Sequence, residues 1–166
     1  SDVYKRQLMK DEKVPVDVGT CLPLNKAHLM SKASDQSVSS SKAVTVLTYL
    51  HGVREAVNSI QEIQAAGHDI DLIELRSLKP LDLDTIRESL ARTHKLVILD
   101  ESTQSGGVGA SISALVGEEL FDELDAPVKR LCMDDAPVPY ASSMEQAVVK
   151  RGSDLVIAVK ELVDYV

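Results

Sequence analysis

Residues 98–112 read ILDESTQSGGVGASI. An apolar run ends in acidic and hydroxyl residues, and three glycines within four positions then open a stretch with helical spacing. Extended backward the run becomes KLVILDE (95–101), a strand; forward, Val108, Ile112, Leu115, Val116 and Leu120 recur at helical intervals. Strand, tight turn and helix make the repeating unit of a parallel sheet, whose crossovers return the chain to the same end. The order Gly106, Gly107, Val108, Gly109 fits neither the dinucleotide fingerprint nor the phosphate loop, which also needs its Lys-Ser/Thr pair. Two readings stay open: small residues that let the helix approach the sheet closely, or free N–H groups at a helix start that hold a small anion.

The flanking sequence extends the same pattern. AVTVLTYL, beginning at Ala43, is rich in β-branched residues and reads as the first strand; Val53, Ala56, Val57, Ile60 and Ile63 then mark the apolar face of a helix, closed by Gly67 as a left-handed cap. DIDLIEL (69–75) is a second strand, and Leu83, Ile86 and Leu90 a second helix with Asp82 or Asp84 as N-cap. PVKRLCM supplies a short fourth strand and DDAPVPYASS a proline-interrupted loop. Leu155, Val156, Val159, Leu162 and Val163 stripe a terminal helix that Ser153 is placed to cap. The expected fold is α/β: a three-layer α/β/α sandwich with a mostly parallel sheet.

Residues 11–42 hold Pro15, Pro23 and the serine-rich SKASDQSVSSSK, with little periodic order. Residues 1–42 therefore read as an N-terminal extension and interdomain linker, and 43–166 as the domain; the opening SDVYKRQ fits none of the patterns and is set aside as an extension. No period of 20 to 50 residues recurs.

Hydrophobic residues make up 44% of the 166 but aromatics only 3%, with Phe121 the single Phe and no Trp, so the core must be built from Val, Leu, Ile and Ala. Lys and Arg number 18 against 26 Asp and Glu, a formal charge of −8 without any basic block, which argues against nucleic acid or an anionic membrane as partner. Cys21 and Cys132 lack CxxC spacing, and a buried, inert Cys132 thiol in a reducing compartment is expected. No apolar run approaches the roughly 20 residues of a membrane-spanning helix. His28, His51, His68 and His94 show no metal-ligand spacing, and nothing matches the G-x-S-x-G nucleophile turn. The acidic pairs Asp100–Glu101 and Asp134–Asp135 read as strand-end groups that cap turns or helices. Composition and spacing alone give an acidic α/β domain with no self-contained catalytic set.

Longer phrases add more. IELRSLKPLDLDTIRESLARTHKLVILDE, SGGVGA, FDELDAPVKRL and DDAPVPYASSMEQ, in that order, resemble the carboxyl-terminal domain of the β subunit of the pyruvate dehydrogenase component, the thiamine-dependent part of 2-oxo acid dehydrogenase complexes. The resemblance covers about residues 43–166, and VPVDVGTCLPLNKAHL is similar to the linker that precedes this domain. The wording resembles the plastid and cyanobacterial branch, which implies a plastid stroma or bacterial cytoplasm more than a mitochondrial matrix; a branched-chain 2-oxo acid enzyme is the neighbouring alternative. By this resemblance the catalytic residues, thiamine diphosphate and Mg²⁺ belong to the complete enzyme, and this chain alone binds no cofactor and no metal. The implied partners are the α subunit, a second β subunit and the basic subunit-binding domain of dihydrolipoyl acetyltransferase. Docking of the last is implied for Asp122, Glu123, Asp125 and Val166, and a turn with subunit contact for Gly106, Gly107 and Gly109.

Overall fold

The computed structural model describes residues 23–165; SDVYKRQ, Cys21 and Val166 lie outside them. In chain order the elements are β1 (His28–Ser31), α1 (Asp35–Ser39), β2 (Ala43–Thr48), α2 (His51–Ala65), β3 (Asp69–Glu74), α3 (Leu83–Thr93), β4 (Leu96–Thr103), α4 (Val108–Glu119), a 3₁₀ turn (Phe121–Glu123), β5 (Lys129–Met133), α5 (Ser142–Val148) and α6 (Gly152–Val163). The strands form one sheet in the order β1-β3-β2-β4-β5. β2, β3, β4 and β5 run parallel, and β1 pairs antiparallel with β3 at the edge.

Alternation along each strand decides which helices cover which face. Val44, Val46, Ile70, Leu72, Val97 and Leu99 join Ala56 and Ile63 of α2 and Leu155, Val159 and Leu162 of α6 in one cluster. Leu47, Ile73, Leu96 and Ile98 point the other way and meet Ile86 and Leu90 of α3 with Ile112 and Val116 of α4. With helices on both faces all six residues of β2 are buried, which is why the sequence there runs apolar instead of alternating. The result is the expected three-layer α/β/α sandwich. Its winding reverses between β2 and β4, since the chain moves outward to β3 and then crosses back.

Caps account for several element ends. Asp82 is the N-cap of α3: its carboxylate accepts from Thr85 Oγ1 at 2.7 Å and from the Ala27 N–H at 3.0 Å. Gly67 follows α2 at φ +84°, and His94 closes α3 in the left-handed region at φ 55°. Ser153 does not cap α6. The cap is Arg151, whose N–H donates to the Asp154 carboxylate at 2.8 Å, while the Gly152 N–H donates to Glu55 of α2 at 3.0 Å.

Four further expectations are corrected. The segment 11–42, read as lacking regular order, contains β1 and α1, and Ala33 between them is buried. The stretch after DDAPVPYASS is not loop up to the terminal helix, because α5 intervenes. The first strand stops at Thr48, since Leu50 turns to φ 51° and lies exposed, and Val57 also faces outward from α2.

The segment ahead of β2 is pinned to the sheet by buried polar groups. Asp71, in β3 and with its side chain fully buried, accepts from the Ala33 N–H at 2.7 Å, from Ser89 Oγ at 2.8 Å and from Arg92 Nη1 at 2.9 Å. Arg92 also donates to the Ala33 carbonyl at 3.0 Å, and the Ser34 N–H donates to Asp69 at 2.9 Å. Among the described residues no helix is long and apolar enough to cross a membrane.

Candidate docking face

After α4 the chain makes its 3₁₀ turn and heads for β5, and this turn carries the acidic residues singled out in the sequence. Leu120 is buried and Leu124 packs against the α3–α4 cluster, anchoring the turn from both sides. Its backbone is held by the end of α3: the Asp125 N–H donates to the His94 carbonyl at 2.8 Å, and His94 Nδ1 lies 3.2 Å from the Glu123 carbonyl. Main-chain bonds fix the turn while Asp122 and Asp125 stay exposed and Glu123 is half-buried. Beside them opens a hollow of about 470 Å³, lined in part by Phe121, Leu124, Pro127, Val128, Tyr165 and Asp125. Phe121, 70% exposed, is the large apolar group on its rim. The fourth predicted docking residue, Val166, lies outside the described residues.

The glycine turn sits at the carboxyl end of β4. Gly106 takes φ +72°, a left-handed position that favours glycine, whereas Gly107 and Gly109 are small because of what surrounds them. A Cβ on Gly107 would collide with Ser102 Oγ and the Thr103 carbonyl, and one on Gly109 would fall 2.9 Å from Asp100 Oδ2. Asp100 is the hub of this rim. Its carboxylate accepts from the Gly109 N–H at 2.7 Å, from the Ser102 N–H at 2.8 Å, and from the Ser102 and Tyr49 hydroxyls. On the far side of the turn Asp135 accepts from Ser105 N–H at 2.8 Å and Oγ at 2.6 Å. Strand-end acids therefore fasten the turn, as their positions suggested, and the N–H that begins α4 already faces a carboxylate of the chain itself.

Electrostatics at the rim follow from these bonds. Burial raises the Asp100 pKa, but hydrogen bonds from Ser102, Tyr49 and the Gly109 N–H outweigh it and hold the carboxyl below the ordinary aspartate value. Burial, then the hydrogen bond to Asp100, pushes the Tyr49 phenol well above its usual range. Cys132 is a buried free thiol, its pKa raised by burial and next by the Asp100 charge, which disfavours the reactive thiolate. Because the native Asp100 pKa is depressed, its contribution to stability is full above the unfolded value of about 4 and is lost as pH falls through the lowered native value. Acid titration of the melting temperature is accordingly expected to show a fall below about pH 4 that is smaller in Asp100→Asn than in the parent.

At the start of α4 the Gly109 N–H, one of the donors that could face a phosphate, is taken by Asp100, and among the described residues no three His, Cys, Asp or Glu side chains converge on one position.

Residues 35–153 match the family described as transketolase, C-terminal domain. The chain belongs to this family. Transketolase C-terminal domains thus give the frame for its relatives. It is 38% identical over 92% of its length to the pyruvate dehydrogenase E1 component subunit beta of Porphyra purpurea, covering 44% of that protein. Against the chloroplastic E1 subunit beta-2 of Arabidopsis thaliana it is 39% identical over 72% of its length and 29% of the relative's. With the E1 subunit beta of Rickettsia felis it shares 36% identity over 87% of its length and 42% of the relative's. The chain therefore spans less than half the length of these relatives. A solved structure, a split gene transketolase described as an inactive beta4 tetramer, superposes with a TM-score of 0.71 at 19% identity, over 89% of this chain and 44% of that one. At that identity it speaks for the transketolase C-terminal fold alone.

Two features escaped the reading of the sequence. The hollow is assembled from residues of α4, the turn and the segment after α6, and no local pattern announces it. The Asp71–Arg92 pin left a faint trace: Asp71 alternates with apolar neighbours in DIDLIE, which ordinarily marks a solvated face, yet that face of β3 is covered by α3, whose Ser89 and Arg92 reach it.

Proposed function

We propose that this chain supplies the C-terminal domain of the β subunit of a thiamine-diphosphate-dependent pyruvate dehydrogenase E1 component, where it serves subunit assembly and docks the subunit-binding domain of dihydrolipoyl acetyltransferase. The observation that carries the docking role is the acidic turn: Asp122, Glu123 and Asp125 lie together on a backbone tied to His94, in a chain of net charge −8. Carboxylates on a rigid, exposed turn suit a basic partner, because charge-assisted bonds are strong and opposite fields speed encounter. Similarity to β subunits across most of the chain supports the rest of the assignment. Pyruvate decarboxylation and reductive acetylation of lipoyl groups belong in this reading to the complete enzyme, with the α subunit and a second β subunit as assembly partners. The glycine turn is assigned to packing and subunit contact. A plastid stroma or a bacterial cytoplasm is the proposed location, in keeping with the names and sources of the relatives.

Calorimetry separates this function from that of a small-anion module. Titrating the chain with thiamine diphosphate, inorganic phosphate and a purified acetyltransferase subunit-binding domain is expected to give heat only with the last. Asp125→Ala is expected to weaken that binding by about 1 to 3 kcal/mol and to flatten its salt dependence. Unchanged affinity at low salt would remove Asp125 from the docking face.

A further inference from the structure

The hollow beside Asp125 gives the docking face a second, apolar element. Among its lining residues the only charged side chain is the Asp125 carboxylate, and no cation is present. Leu124 and Val128 form apolar wall, both packed on the core behind, while Phe121 and Tyr165 stand exposed at the rim. Its volume of about 470 Å³ can admit a branched aliphatic side chain. From this geometry we infer that the hollow receives an aliphatic side chain of the basic partner, set next to the lysine or arginine that pairs with Asp125. The inference rests on the proposed docking of the acetyltransferase subunit-binding domain and specifies how that domain is gripped. Charge complementarity selects the occupant: a carboxylate at the mouth with Asp122 and Glu123 nearby repels an acidic segment and leaves a basic one favoured. The two elements divide the work, since exposed charges govern encounter and salt response, whereas an anchor buried in a pocket governs the rate of release.

Gly117 makes the test clean. It lies within α4 and lines the hollow, and a Cβ built there meets nothing within 4 Å, so the first carbon of a larger side chain enters without a clash. Binding of the purified subunit-binding domain to the full chain would be measured by calorimetry and surface plasmon resonance at low and moderate salt. Gly117→Leu, which occupies the hollow, is expected to weaken binding about tenfold, mainly through faster dissociation, on the scale of one lost aliphatic burial. Its salt dependence should match the parent's, unlike that of Asp125→Ala. Phe121→Ala, at a position 70% exposed, is expected to lose affinity several-fold in the same way and keeps the test available if the filled variant folds poorly. If the parent binds and both variants bind equally well with an unchanged dissociation rate, the hollow is not an anchor site although docking stands. No binding by the parent at either salt would overturn the docking reading itself, and this inference with it.

Discussion

Replacing Asp71 with Ala is expected to destabilise the domain by about 3 to 5 kcal/mol, the scale of removing one partner from a buried charge pair. The substitution would leave the Arg92 guanidinium with only the Ala33 carbonyl and the exposed Asp35 carboxylate at 3.5 Å, deprive the Ala33 N–H and the Ser89 hydroxyl of their acceptor, and open a void in the sheet. Ser89 is itself bonded to Thr45 Oγ1, which also meets Thr93 Oγ1, each at 2.6 Å, so the loss spreads along a polar seam between β2 and α3. Urea unfolding followed by far-ultraviolet circular dichroism gives the measurement. A loss below about 1 kcal/mol, ordinary for one exchanged hydrogen bond, would mean that the seam contributes little. The double replacement Asp71→Leu with Arg92→Met should recover much of the deficit, because removing both charges leaves no stranded ion.

Gly107→Ala is the second large effect, at about 3 kcal/mol, the upper end of ordinary overpacking. Its methyl would strike the Thr103 carbonyl as well as Ser102, and backbone cannot rotate away as a side-chain tip can. Relief would require moving Ser102, which loosens the Asp100 hub and with it the N–H bond that starts α4. Gly117→Ala is the internal comparison, being an open helical position where alanine is expected to stabilise by about 1 kcal/mol. Thermal melts of the two variants should move in opposite directions. A Gly107→Ala melt equal to the parent's would show that the turn is roomier than its contacts imply.

The parts of the fold legible in the sequence are those whose burial is periodic. β2 to β4, α2, α3, α4 and α6 each carry a stripe or run that must meet another layer, and their order alone implies the sandwich. What escaped has no such stripe. β1 is four residues long and mostly exposed, and α5 has no buried residue, so neither imposes a period. Ser153 looked like a cap because serine usually is one, but here Asp154, placed three residues after Arg151, reaches back to that residue's N–H instead. The docking role proposed for the acidic turn comes through resemblance, since nothing in FDELDAP distinguishes a docking surface from a solvated one. The apolar hollow beside it depends on tertiary assembly and left no linear trace.

The self-sealed rim at β4 carries a wider consequence. Open α/β sheets usually meet small molecules where their winding reverses, beyond the strand ends, yet here the chain's own Asp100 and Tyr49 knit that entrance together. A scaffold tied shut at its customary mouth leaves its flanks, where the docking proposed above would take place, free to vary without disturbing that knot.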